Sequence, residues 1–276
     1  MMKWTPEAEA AIRKVPFFVR KRVRARVEKE AAGENKAVVS LSEVQATQRR
    51  YLSAMKSEVK GYQLETCFGP GGCPNRANPS DDLLERLDAL LRKKDLLDFL
   101  QERVGDKLKF HHEFRVTLAE CPNACSQPQI KDIGILGACL PKITEAACSA
   151  CGACEKVCKE NAVFVGPERS GPRIDSRRCL ACGSCIPACP TGTLAEGRRS
   201  YRVQVGGKLG RHPLLSRELP GIYDEDETLE IVDACVDFYK ARSRRGERFG
   251  EILQRTGLQE LIHSYEARRM TKVRNR

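Results

Sequence analysis

At 276 residues and 41% hydrophobic content, the chain is long enough for one or two ordinary domains with a real core. No apolar run approaches the roughly 18 residues of a membrane span, and Met1 leads at once into the polar stretch KWTPEAEAAIRK, so no secretory leader is expected. The formal charge of +11 comes from 48 Lys and Arg against 37 Asp and Glu, and its densest part is RKVPFFVRKRVRARVEK at 13–29. Such a tract suits a solvated helix face, or the binding of nucleic acid, an anionic membrane or an acidic protein partner. It lacks the interleaved aromatics of a nucleic-acid surface, so no nucleic-acid partner is expected.

Taken in chain order, residues 4–31 are predicted helical, with Thr5 as cap, Pro6 at the first helical position and Pro16 as a break. Gly33 and Asn35 mark a loop, and a second helix is expected over 41–60, begun by Ser40 or Ser42. Residues 61–79, rich in Gly, Pro and Asn, are expected to be loop. Ser80 is expected to cap one long helix, DDLLERLDALLRKKDLLDFLQERV, whose leucines recur at helical spacing. Strands are predicted over 110–119, 130–136 and 201–205, followed by an amphipathic helix from Asp226 to about Arg245 and a shorter one from Phe249. Helices dominate both ends and strands lie between, which is an α+β pattern.

The cysteines carry the chemistry. Twelve of the fourteen fall into four groups: Cys67 and Cys73 in C-x5-C, Cys121 and Cys125 in C-x3-C, then Cys148, Cys151, Cys154, Cys158 and Cys179, Cys182, Cys185, Cys189 in two C-x2-C-x2-C-x3-C runs. Spacings this tight suit metal ligation rather than the distant cross-links of a secreted scaffold, and they point to a reducing cytoplasm. Four thiolates serve one [4Fe–4S] cube, so twelve suffice for three. A structural zinc site is the alternative for the first two pairs, but zinc ligands typically have other spacings. Cys139 and Cys235 are left over, as buried small hydrophobes.

Residues 148–165 and 179–196 superpose without gaps at a shift of 31 residues, and CSACGACEKVCKENAV and CLACGSCIPACPTGTL resemble the bacterial two-cluster ferredoxins. The resemblance implies crossed ligation, with Cys148, Cys151, Cys154 and Cys189 on one cube and Cys179, Cys182, Cys185 and Cys158 on the other. Pro190 follows the last cysteine as in that family, whereas Lys159 follows Cys158.

CFGPGGCP, RVTLAECPNACSQPQIKDIGILG and YRVQVGGKLGRHP resemble the C-terminal part of siroheme-dependent sulfite and nitrite reductases. That resemblance implies a nitrite/sulfite reductase-type siroheme/[4Fe–4S] domain in which Cys67, Cys73, Cys121 and Cys125 hold the cube. Cys125 would be shared with the siroheme iron, and Asn123 would lie beside the macrocycle. Arg115, Lys208 and Arg211 are candidates for its carboxylates, and Gly206-Gly207 would allow close backbone approach. Lys107, Lys109, His111 and His112 are basic residues near the cluster in sequence. WTPEAEAAIRKVPFFVRKRVRARVEKEA resembles the small helical domain of a light-independent protochlorophyllide reductase subunit. The organisation implied is a helical domain at 1–60, the siroheme/[4Fe–4S] domain at 61–142 and 198–276, and a ferredoxin insert at 143–197. The function implied is six-electron reduction of a small anion, sulfite or nitrite. A homodimer or partner subunit would complete the pocket, because the anion-binding residues of that family lie upstream of the first cysteine pair. The alternative is a non-catalytic iron–sulfur electron-transfer subunit.

Overall fold

The computed structural model describes residues 2–57, 59–105, 108–166 and 171–274. The chain divides into two compact units, Met1–Lys60 with Leu108–His111 and Gly61–Lys107 with His112–Arg276.

In the first unit, strand β1 (Lys3–Trp4) precedes α1 (Pro6–Arg13), α2 (Phe17–Gly33), strand β2 (Val38–Val39) and α3 (Leu41–Ser57). Thr5 caps α1 by accepting from the Ala8 N–H at 3.3 Å, with Pro6 at the first position and Glu7 and Glu9 at the positive end of the helix dipole. Pro16 separates α1 from α2 as expected. The parallel pairing of β1 with β2 was not anticipated, since two-residue strands leave no periodicity to read. Ala8, Val27, Ala31 and Val39 form the core, with Trp4, Val23 and Val44 packed on it. Part of the basic tract is neutralised within the unit. Arg24 lies over the Trp4 ring at 4.5 Å and pairs with Glu9, and Arg26 pairs with Glu30, while Lys21, Arg22 and Lys29 stay exposed.

The second unit is built on a mixed sheet in the order β3 (Tyr62–Thr66), β4 (Phe114–Ala119), β5 (Ile133–Ile143), β8 (Leu194–Val205) and β9 (Arg217–Glu218). Strands β3, β4 and β5 run parallel, and β8 is antiparallel to both β5 and β9. Helices α4 (Asp81–Arg92), α5 (Leu96–Val104), α7 (Glu225–Arg242), α8 (Phe249–Thr256) and α9 (Leu258–Arg274) complete it. Leu83, Leu87, Leu91, Phe114, Val116, Ile231, Tyr239 and Phe249 are almost wholly buried. Each contributes about 1.5–3 kcal/mol by leaving water. Phe114 anchors the centre, with ring centroids 5.0 Å from Tyr239 and 5.5 Å from Phe249. Strands and helices thus make an α+β fold.

Several expectations require correction. The stretch expected to be loop from residue 61 begins as β3, an edge strand paired along its length with β4. The long leucine helix breaks into α4 and α5 where Asp95 takes a left-handed conformation (φ 48°). The break lets Lys94 reach Asp233 and Asp237 of α7 at 2.5 and 2.6 Å. Ser80 makes no side-chain cap; its hydroxyl is taken by Glu120. Phe110–His112 is a 3-10 turn, so β4 starts at Phe114, and a second such turn, Pro128–Ile130, delays β5 to Ile133. Strand β8 starts at Leu194, well before Tyr201. Lys107 lies outside the described residues.

Between β5 and β8 the chain forms α6 (Ala153–Val157) and an antiparallel pair, β6 (Val163–Val165) with β7 (Pro172–Ile174). This insert hangs from the far end of the β5–β8 hairpin, where Ile143 faces Leu194 and the Thr144 N–H donates to the Thr193 carbonyl at 2.8 Å. Among the described residues, no helix is long and apolar enough to cross a membrane.

Candidate iron–sulfur centres

Parallel pairing brings the first two cysteine pairs together. Thr66 and Leu118 are register partners near the ends of β3 and β4, and the chain leaves those two ends into Cys67 and Cys121. The Cys67 N–H extends the ladder to the Leu118 carbonyl at 3.1 Å. Cys73 and Cys125 lie on the loops that follow. Burial pushes the Cys121 thiol above its ordinary value, the Asn123 backbone N–H pulls it down, and Cys67, Cys125 and Cys73 each add to the upward push. The four sulfurs therefore feel one another. The Cys67 sulfur accepts from the N–H groups of Gly69 and Glu120, both at 3.3 Å. Cys125 is the exposed member of the four.

A buried carboxylate that gives no signature in the sequence motifs supports this loop. The Glu120 side chain is 1% exposed. It accepts from the Ser80 N–H at 3.0 Å, the Ser80 hydroxyl at 2.9 Å and Arg76 Nη2 at 2.9 Å, and Arg76 Nε closes the second arm of the fork. Its carbonyl accepts from the N–H groups of Ala77 and Asn78 at 2.9 and 3.1 Å. Position 69 has to be glycine, because a Cβ there would stand 1.8 Å from the Glu120 carboxylate. Glu120 and Arg76 thus staple the C-x5-C loop to β4. The one signal available in the sequence is an acid directly before Cys121.

In the insert the two cysteine runs approach each other. The Cys189 charge acts on Cys154 and Cys151, and the Cys158 charge acts on Cys179 and Cys185. Each run's fourth cysteine therefore lies near two cysteines of the other run. Ala150, Ala162, Ala181 and Leu194 give backbone N–H bonds to the sulfurs of Cys148, Cys158, Cys179 and Cys189 at 3.4, 3.2, 3.4 and 3.4 Å. The Leu194 N–H and the Thr191 hydroxyl lower Cys189 to about 7, against the effect of burial, whereas burial pushes Cys185 up to about 12. Buried thiols of this kind ionise when a metal takes the place of the proton. Four ligands of a cube each meet a different iron and stand wider apart than ligands of one ion. Among the described residues, no three His, Cys, Asp or Glu side chains converge on a single-ion site.

The remaining candidates are less united. Asn123 is exposed on the Cys121–Cys125 turn, with its N–H on the Cys121 sulfur. Arg115 lies six residues before Cys121, about 20 Å back along an extended chain. Its Nε is buried without a hydrogen-bond partner. Lys208 pairs with Glu251 at 2.5 Å, and Arg211 is exposed on the following turn. Both follow the end of β8 that pairs with the start of β5, the end of the sheet away from Cys67 and Cys121. The Gly206-Gly207 pair packs on the chain itself, since a Cβ at 207 would meet the Gln129 carbonyl at 2.6 Å and one at 206 would meet Leu253 at 2.9 Å. Beneath it, the fully buried Asp132 is paired with Arg248 and accepts from the Arg115 N–H at 2.9 Å.

Four thiols on the loops that leave two parallel strands, with two further four-cysteine runs on the insert, form the frame of an iron–sulfur protein. The chain belongs to the nitrite and sulphite reductase 4Fe-4S domain family, whose profile matches residues 64–273. Residues 4–47 match the family described as proto-chlorophyllide reductase 57 kD subunit. The chain is 34% identical over 187 residues to the coenzyme F420-dependent sulfite reductase of Methanocaldococcus jannaschii, covering 67% of this chain and 28% of that protein. It is 25% identical over 121 residues to one of the subunits of the anaerobic sulfite reductase of Salmonella typhimurium, covering 44% of this chain and 30% of that one. The chain thus spans less than a third of the length of either relative. Dissimilatory sulfite reductase I aligns over 83% of this chain and 58% of its own, with a TM-score of 0.49 and 16% identity.

Proposed function

We propose that the chain is a siroheme- and iron–sulfur-dependent reductase of sulfite, with nitrite as the second candidate substrate, acting in the cytoplasm by six-electron transfer. The observation that carries this reading is that Cys67 and Cys121 follow the ends of two parallel strands, with Cys73 and Cys125 on the loops beyond and Cys125 the exposed member. Sulfite is preferred because both relatives named above are sulfite reductases. Cys67, Cys73 and Cys121 would hold the cube, and Cys125 would also face the siroheme iron. When bound, siroheme supplies the iron at which the oxyanion is reduced, and the cubes supply the electrons. The unpartnered Arg115 Nε is an available donor for a siroheme carboxylate. The role of Lys208 requires release from Glu251. The crossed sets of the insert would hold two further cubes, for three in all. The exposed Lys21, Arg22 and Lys29 suit an acidic electron-donor protein. A second copy or a partner subunit would supply the anion-binding cations.

A non-catalytic electron-transfer subunit of a larger redox complex is the alternative. Anaerobic purification followed by a visible spectrum and an iron count separates the two. The reductase reading expects tetrapyrrole absorption, about thirteen irons per chain and oxidation of reduced viologen by sulfite. About twelve irons with no extractable tetrapyrrole would leave the electron-transfer reading standing instead.

A further inference from the structure

Beyond the hairpin arms, the insert meets the sheet through its second cysteine run. The Cys139 N–H on β5 donates to the Ala181 carbonyl at 2.6 Å, and Cys139 forms a β-bridge with Cys182. Gly183 (φ 73°) lies so near that a Cβ there would stand 3.1 Å from the Cys139 Cβ and 3.3 Å from its sulfur. On the neighbouring strand, Arg202, held by Glu218 at 2.6 and 2.7 Å, reaches the Leu180 carbonyl at 3.4 Å. Leu180–Gly183 is therefore seated on β5 and β8.

Two residues along β5 from Cys139, Gly137 packs on the backbone of Glu120, next to Cys121. A Cβ at Gly137 would stand 2.5 Å from the Glu120 carbonyl oxygen, and the Glu120 N–H is bonded to the Cys67 sulfur. At about 3.3 Å per strand residue, the Cys139 contact lies about 7 Å along β5 from this point. The first run's cube reaches the sheet differently, through Cys189, whose sulfur accepts from the Leu194 N–H at the hairpin tip. Leu194 faces Ile143, which is about 20 Å along β5 from Gly137 by the same rise. Electron tunnelling falls exponentially with separation, so this difference decides the order of transfer.

We propose that the cube seated by Cys179, Cys182, Cys185 and Cys158 hands electrons to the cube seated by Cys67, Cys73, Cys121 and Cys125, across the contact formed by Ala181, Cys139, Gly137 and Glu120. The cube of Cys148, Cys151, Cys154 and Cys189 is then the one that accepts electrons from a low-potential one-electron donor. In each transfer the donor cube is oxidised by one electron and the acceptor cube reduced by one. No bond changes and no proton moves. Cys139 acts as a positioning residue. The inference rests on the three-cube reading given above.

The test is EPR on the anaerobic, dithionite-reduced full chain, following the spin relaxation of the cube at Cys67, Cys73, Cys121 and Cys125. Replacing Cys179 and Cys182 by Ala should remove the fast-relaxing component, and replacing Cys148 and Cys151 by Ala should leave it in place. The reverse pattern, or equal loss in both variants, overturns the order. A second measurement keeps all ligands: Cys139→Val should shift the midpoint potential of one insert cube and alter relaxation of the same reductase cube. Unchanged relaxation there also counts against the proposal. If the wild-type chain holds only about eight irons, the three-cube reading itself is lost, an outcome distinct from three cubes in the wrong order.

Discussion

Replacing Glu120 by Gln changes one buried atom and tests whether the staple organises the first cluster. The carboxylate is 1% exposed and takes four donors: the Ser80 N–H, the Ser80 hydroxyl and two nitrogens of Arg76. An amide turns one oxygen into an NH2 group, which must face either the Arg76 fork or the Ser80 N–H, donor against donor. Hydrogen bonds to charged groups are worth about 1.5–3 kcal/mol each. Breaking a buried ion pair from one side costs about 3–5 kcal/mol. Arg76 keeps some access to water, its side chain being 24% exposed, which places the expected loss near the lower figure, about 3 kcal/mol. The damage should be local, because the same residue's N–H bonds the Cys67 sulfur. Urea denaturation of the anaerobic holoprotein should show the loss, and the iron count should fall from about twelve cube irons toward about eight. A variant with wild-type stability and full iron would refute the staple.

Gly137→Ala forces a Cβ to within 2.5 Å of the Glu120 carbonyl oxygen, a backbone atom with no rotamer to give way. Overpacking of this kind costs about 1–3 kcal/mol, and a melting temperature within a degree of wild type would contradict the close approach of β5 to β4. Asp132→Asn leaves the largely buried Arg248 guanidinium without its charged partner, for a loss of about 3–5 kcal/mol that Asp132→Glu should not reproduce by the same mechanism; denaturant midpoints compare the two. Burial would raise the Asp237 carboxyl, but Lys94 and Arg268 outweigh it and hold it below its ordinary value. Its stabilising contribution is therefore complete above the ordinary Asp value of about 4 and is lost only as pH falls below it. The stability gap between wild type and Asp237→Asn should stay flat from about pH 7.5 to about pH 5 and then narrow. A gap that widened on acidification would show that the sign is wrong.

The cysteine groups were legible because ligand spacing is written locally, in residues two to five apart, and the two superposable runs announce an internal repeat before any fold. The helix starts at Pro6 and Phe249 were legible for the same local reason. The staple was not, since Glu120, Arg76 and Ser80 become neighbours only when β4 and α4 are in place. Strand β3 was hidden because YQLET is short, lies at the sheet edge and is partly exposed, so its partner β4 determines its conformation more than its own pattern does. The first half of β8 reads as polar loop because both faces of the hairpin arm meet solvent there, and exposed arms need no alternation. The break at Asp95 depends on a left-handed residue with no glycine to announce it. Of the candidate cofactor contacts, Arg115 could be picked by position, yet its unpartnered Nε could be known only from the structure.

The insert enters and leaves the sheet through adjacent residues, Thr144 and Thr193, joined by a single backbone hydrogen bond. A segment with touching ends behaves as a cassette: one excision or one insertion at the hairpin tip changes the wiring while the host strands keep their register. Short-circuiting the hairpin between Ile143 and Leu194 would leave the five-stranded sheet without the insert. Its cost would be concentrated at Cys139, whose N–H would lose the Ala181 carbonyl and turn to water. The host strand thus carries the mark of the cassette at Cys139 as well as at the hairpin tip.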